Sequence, residues 1–287
     1  MKRINAFICS IYDFLETKWI GPSGHRLVST LVIFCFIGSL CLVEVKKLDM
    51  LPHYVSVFIP DSFLASIEVA FTLLLILEVM GLVFSIVDSV SASVGRQLEI
   101  LSLILLRDVF KEISHIKEPV VWEQLADKVA PVVATSLGAV IIFSVLWIFY
   151  RLMKRVELKV DEADKRSFIF SKKIIALGLL VAFHGIIISS IIGKLTGYET
   201  ADIFESFYTL LIFTDILIVL ISMRYGHDYH VAFRNSGFAV VTVFIRIALI
   251  APAVYSAGIG VIAALFALAV MAVYNISVRK GPEPSEP

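Results

Sequence analysis

Long apolar runs alternate with short polar breaks along the whole chain. Seven of these runs, 27–45, 63–87, 132–152, 174–192, 204–223, 238–253 and 258–276, approach or exceed the roughly 20 residues a helix needs to cross a bilayer. The stretch 93–116 is different. Its middle, 100–106, is apolar apart from Ser102, but Arg96, Glu99, Arg107, Asp108, Lys111 and Glu112 surround it. Val94, Leu98, Leu101, Leu105, Val109 and Ile113 recur at helical spacing, so the stretch taken alone predicts an amphipathic helix lying in a membrane interface.

The pattern also repeats. Residues 27–150 and 174–278 read as two weak copies of one four-segment unit, and a repeat on this scale governs the architecture. Glu68-x-x-x-Thr72-Leu73-Leu74 matches Glu205-x-x-x-Thr209-Leu210-Leu211, each followed by an acid, Glu78 and Asp215, at a constant offset of 137 (205 − 68). Upstream, Phe36-Ile37-Gly38 and Lys47-Leu48 match Phe183-His184-Gly185 and Lys194-Leu195, and downstream Pro131 and Gly138 have counterparts in Pro252 and Gly260. The repeat aligns 93–116 with 238–253, which predicts that it crosses the membrane after all.

Charge distribution points the same way. Between Arg151 and Lys173 stand eight Lys or Arg against four Asp or Glu, which places that loop on the cytoplasmic side. Arg279 and Lys280 follow the last run, and the basic amino-terminal residues Lys2, Arg3, Lys18 and Arg26 share that side only if 93–116 crosses. The expected fold is therefore an all-α polytopic membrane protein with eight transmembrane helices as two parallel four-helix repeats, related by an axis along the membrane normal. Residues 1–25 are expected to form an interfacial helix with Ile4, Ile8, Ile11 and Leu15 on one face. The repeats occupy 26–152 and 174–280, a charged cytoplasmic linker occupies 153–173, and the tail 281–287 (GPEPSEP) is disordered by composition.

Composition narrows the function classes. The chain is 59% hydrophobic and 17% charged, with mean hydropathy +0.90 and net charge +0, far from a soluble domain and without the basic excess that nucleic-acid binding requires. Cys9, Cys35 and Cys41 lack metal-ligand spacing and are expected to pack as small apolar residues. The chain has no glycine-rich phosphate loop, no HExxH and no Gly-x-Ser-x-Gly elbow, so neither an enzyme nor a cofactor is expected.

Ionisable residues at membrane depth are the candidate functional groups, because each costs roughly 2.5–3.5 kcal/mol there on insertion scales unless it is paired or wet. At ~1.5 Å per residue, Asp215 lies about 13 Å from Arg224 and Arg246 about 18 Å from Arg234. These similar depths on neighbouring antiparallel helices predict an Asp215–Arg246 pair, and the first repeat predicts Glu78–Arg107 likewise. Each pair serves either to lock two helices together or to line an ion or proton path. His184 stands mid-span, readable as a hydrogen-bonded packing residue or a proton relay. The turn from Arg224 to Arg234 carries His227, Asp228 and His230. Two histidines and one carboxylate are slender grounds for a metal. Two arginines and two histidines beside a helix amino terminus suit a phosphate or an anionic lipid head group instead.

The second repeat resembles a known family. Tyr229-His230-Val231-Ala232-Phe233-Arg234, then Arg246 twelve residues on, then Tyr255-Ser256-Ala257, with an acid at Asp215, are similar to the phosphate-starvation-inducible PsiE-like membrane proteins of bacteria. The likeness covers 174–280. The first repeat departs from it: the histidine is absent, Arg96 and Arg107 are eleven apart, and Thr135-Ser136 replaces Tyr-Ser. The resemblance implies a multi-pass protein of the bacterial inner membrane, tied to phosphate stress and without an assigned activity. The partners expected from the sequence are the bilayer, anionic lipid head groups and other copies of the chain. Two functions compete: a non-enzymatic structural or regulatory membrane protein, and an ion channel or secondary transporter with its pathway between the repeats. A polar cavity lined by Glu68, Glu205 or His184 favours the second, and a dry interface favours the first.

Overall fold

A computed structural model describes residues 2–48, 59–60, 62–114, 116, 121–153, 162–196, 203–225 and 229–280. All secondary structure among them is helical: α1 (Lys2–Ile20), α2 (Pro22–Lys47), α3 (Ala65–Ser85), α4 (Val90–Ser114), α5 (Trp122–Met153), α6 (Glu162–Thr196), α7 (Ile203–Tyr225), α8 (Tyr229–Ile250) and α9 (Ala253–Lys280). Helix starts follow local chemistry. Pro22 occupies the first turn of α2, where its missing N–H costs nothing. The Ser62 and Ser89 hydroxyls accept hydrogen bonds from the backbone N–H of Ala65 and Ala92 at 3.1 and 3.2 Å, capping orphan donors at the starts of α3 and α4.

Seven helices, all except α1 and α4, are long and apolar enough to cross a membrane. Their outer surfaces are apolar: Phe34 and Ile37 on α2, Leu137, Phe143 and Trp147 on α5, Val181 and Ile188 on α6, and Phe213 and Leu220 on α7 are all exposed. Such a coat belongs in hydrocarbon rather than water, and it marks an integral membrane protein.

Two apolar clusters hold the bundle together. The larger joins α4, α5, α8 and α9 through Leu98, Leu101, Leu105, Ile142, Phe149, Phe238, Ile245 and Met271. The second joins α1, α3, α6 and α7 through Tyr12, Leu82, Phe84, Phe183, Phe207 and Leu211. Each helix from α2 to α9 contacts its successor except across the α5–α6 connection, and the most extensive contact is between α5 and α9. Those two run parallel, because Gly138 meets Ala257, Ile142 meets Gly260 and Leu152 meets Asn275. Helix α4 is antiparallel to both its neighbours along most of its length. Gly81 faces Ile100 and Phe71 stacks on Phe110 across α3, while Glu99 bonds Tyr150 and Glu112 bonds Lys128 across α5.

The close approach of α5 and α9 depends on small residues. A Cβ at Gly138 would stand 2.8 Å from the Ala257 Cβ, and Ala263, Ala264 and Ala267 on α9 are fully buried. Without a hydrophobic force between helices in lipid, this intimacy provides the van der Waals packing that associates them. Gly95 serves α4 similarly, since a Cβ there would lie 2.6 Å from the Tyr150 ring.

One expectation needs correction. Cys35 and Cys41 are exposed on α2 rather than packed, because α2 touches the bundle along little of its surface. On α1 Tyr12 is turned inward, while Ile11 and Leu15, with Phe7 and Phe14, are exposed. Helix α6 reaches back to Glu162, so the later part of the expected 153–173 linker is helical. Pro131 lies inside α5.

The packing makes a contrast between two glycines. Gly138→Leu should lower the thermal stability of the purified protein by about 1–3 kcal/mol, the range for overpacking a tight site. Gly178→Leu, where nothing lies within 4 Å, should leave it unchanged. Thermal unfolding in detergent compares the two.

Candidate functional site

The centre of the site is Arg246, whose side chain is 0% exposed. Helix α8 buries the face formed by Phe238, Val241, Thr242, Ile245 and Arg246, spaced to follow one side of a helix. The guanidinium therefore points into the bundle with its apolar neighbours. Its Nη2 donates to Asp215 Oδ2 of α7 at 3.2 Å and to Gln97 Oε1 of α4 at 3.1 Å. Gln97 in turn donates through Nε2 to Ser93 Oγ at 3.3 Å. One arginine thus ties three helices together. Its Nε and Nη1 have no protein partner.

A small, partly open recess adjoins this node. Its polar lining is Ser93 and Gln97 from α4, Lys172 from α6, Asp215 from α7 and Thr242 from α8, against Ile86, Val90, Val94, Ile218 and Phe238 on the apolar side. Lys172 is itself 2% exposed. Its Nζ donates to the Asp88 carbonyl at 2.6 Å and lies 4.7 Å from the Phe168 ring centroid. Glu68, Glu205 and His184 do not line the recess. His184 is exposed on α6, with Nδ1 2.7 Å from the Leu180 carbonyl oxygen.

The structure brings together both acid–arginine pairs that the depths suggested. Glu78 and Arg107 form an ion pair between α3 and α4, with 12% and 25% of their side chains exposed. That pair is more exposed than Asp215–Arg246. Sequence reasoning missed Gln97 and Lys172. Gln97 is one amide beside the apolar stripe Val94–Leu98–Leu101–Leu105, and Lys172 reads as the end of a charged loop. The detectable signal was only that Gln97 falls on the buried side of a helical wheel.

Polar contacts also gather where α1 meets the α3–α4 turn. Tyr12 is fully buried and donates to the Phe84 carbonyl at 3.0 Å. Asp13 pairs with Lys173 at 2.6 Å, and Asp88 pairs with Arg96 at 2.9 Å. Burial raises the Asp88 carboxyl above its usual range, with Arg96 and then Lys172 opposing the shift. Burial likewise raises Glu16, reinforced by Asp88 and Asp13.

The expected anion contacts are distributed differently. Arg234 donates through Nε and Nη2 to Asn235 Oδ1 at 3.4 and 3.2 Å, and its guanidinium lies 4.6 Å from the Tyr274 ring of α9. It is engaged in packing α8 against α9. His230 is half-buried, its ring beside that of Tyr229. Arg224 lies in the last turn of α7, while His227 lies outside the described residues. Among the described residues, no three His, Cys, Asp or Glu side chains gather as a metal site would require. No family model, curated protein or solved structure matches the chain.

The two pairs should respond unequally to neutralisation. Asp215→Asn leaves a desolvated arginine without its counter-charge and should cost about 3–5 kcal/mol. Glu78→Gln, at a partly exposed pair, should cost clearly less. Unfolding of both variants in one detergent measures the difference, and equal losses would count against a special role for Arg246.

Proposed function

We propose that the chain is a non-enzymatic integral membrane protein, structural or regulatory, whose buried polar contacts hold one particular helix arrangement. The observation that carries this reading is the Arg246 node. Its partners come from α4 and α7, so it joins what the sequence reads as two repeats, and the rest of that interface is packed by Leu, Ile and Phe. None of the polar residues that would have favoured a pathway lines the recess beside it.

In this reading α4 is an eighth crossing. Its antiparallel contacts with both α3 and α5 support that, since a helix lying in the interface would not follow two spanning neighbours from end to end. The contact sequence α2–α3–α4–α5 and its echo α6–α7–α8–α9, together with the parallel α5–α9 pair, support two parallel four-helix repeats. Both termini then lie on the cytoplasmic side of a bacterial inner membrane. Membership of a PsiE-like family and a link to phosphate stress remain part of the proposal, resting on the residues of the second repeat. The alternative is an ion channel or secondary transporter, and the recess is the observation in its favour.

Two measurements test the reading. With α4 crossing, a cysteine placed at Glu123 labels from outside the cell and one at Ser89 from inside; labelling of both from the same side would overturn the eight-crossing topology. Purified protein in liposomes should pass no sodium, potassium, chloride or phosphate above protein-free vesicles. Flux that disappears in a folded Asp215→Asn or Arg246→Ala variant would establish the transport alternative.

A further inference from the structure

The Arg246 guanidinium presents an unresolved demand. It is fully buried, yet Nε and Nη1 have no protein partner. Orphaned donors on a charged group cost several kcal/mol in a dry interior, so water is the natural partner. A buried water needs room for about one probe sphere and two to four polar partners. Arg246 does not itself line the recess, but the recess has room for water and its wall carries the groups that Arg246 touches. Asp215 and Gln97, the two acceptors of Arg246, line it, and so do Ser93 and Thr242, the latter one helical turn before Arg246.

The recess also has a direction. Lys172 bonds the Asp88 carbonyl, and Val90 and Ser93 begin α4, so its lining extends to the end of the bundle where α1 and the α3–α4 turn sit. Toward the other end the same helices close over Leu101, Leu105 and Ile245, all 1% exposed or less. We infer that the recess is a water-filled inlet, open at the α1 end only, that makes Asp215 a proton-exchange site. A hydronium ion arriving there gives its proton to the Asp215 carboxylate and leaves as water. Arg246 then keeps Gln97 as its partner while the α7–α8 link loosens. Asp215 meets Arg246 of α8 directly, and Lys172 of α6 is the charged group that shares the recess with it. At the mouth stand Arg96 from α4, Asp88 from the α3–α4 turn, and Glu16 from α1, whose field reaches Asp88. Nothing in this requires that anything be transported, so it goes beyond the structural role.

Cysteine accessibility tests the inlet. In a background with Cys9, Cys35 and Cys41 changed to Ser, single substitutions Ser93→Cys, Ala239→Cys and Thr242→Cys are exposed to a membrane-impermeant methanethiosulfonate. Leu101→Cys and Ile245→Cys serve as buried controls, and gel filtration checks that each variant is folded. The recess cysteines should react at least about tenfold faster than the controls, because only a hydrated thiol yields the reactive thiolate. They should do so from one face of sorted membrane vesicles. Rates as slow as the controls, or equal from both faces, would overturn the inlet. Infrared spectroscopy tests the proton. Acidification should produce a carboxylic C=O band that is absent from a folded Asp215→Asn variant and shifts promptly in D₂O; no such band at any pH where the protein stays folded would overturn the exchange site.

Discussion

Everything near the centre of this bundle is arranged around the desolvation of one guanidinium. Arginine does not lose its charge in proteins, so Arg246 must be matched by acceptors wherever the fold places it. The fold places it at 0% exposure, and Asp215 from α7 and Gln97 from α4 meet it. Removing either acceptor leaves the charge in place with fewer groups to match it. A buried ion pair of this sort adds little net stability compared with well-packed apolar residues, but it penalises every arrangement that separates its members. Its contribution is to specify how α4, α7 and α8 fit together.

The same logic explains how α4 coexists with seven far more apolar helices. Most of its charged residues are paired with neighbouring elements. Arg96 meets Asp88, Glu99 meets Tyr150, Arg107 meets Glu78 and Glu112 meets Lys128. The apolar stripe Leu98–Leu101–Leu105 is left for the central cluster. Small residues on the neighbouring helices complete the fit, Gly138 against Ala257 and Gly95 under the Tyr150 ring. A helix surrounded in this way needs its neighbours to be tolerable at membrane depth, whereas α2, with few contacts and an apolar surface, does not.

How much of this was legible in the chain follows from the range of each interaction. The apolar runs revealed the helices because hydrocarbon demands long uninterrupted segments. The two acid–arginine pairs were legible because depth along neighbouring helices is simple arithmetic on sequence separation. Gln97 and Lys172 were not, since their partners lie on helices far off in sequence and neither residue breaks its local pattern. The Tyr12–Phe84 contact of α1 was hidden for the same reason, since the hydroxyl finds a carbonyl 72 residues away. The cysteines of α2 were misplaced because hydropathy distinguishes lipid from water, not lipid from protein.

The claim that Arg246 acts as a specifying pair with Asp215, rather than as two independent side chains, is open to one direct measurement. A double-mutant cycle on unfolding free energy would compare Asp215→Leu, Arg246→Met and the combined variant in the same detergent. Each single change should cost about 3–5 kcal/mol, while the combined change should cost less than either alone, because an apolar pair replaces two charges that no longer need matching. Additive losses would contradict the account and leave Arg246 as an ordinary packing residue.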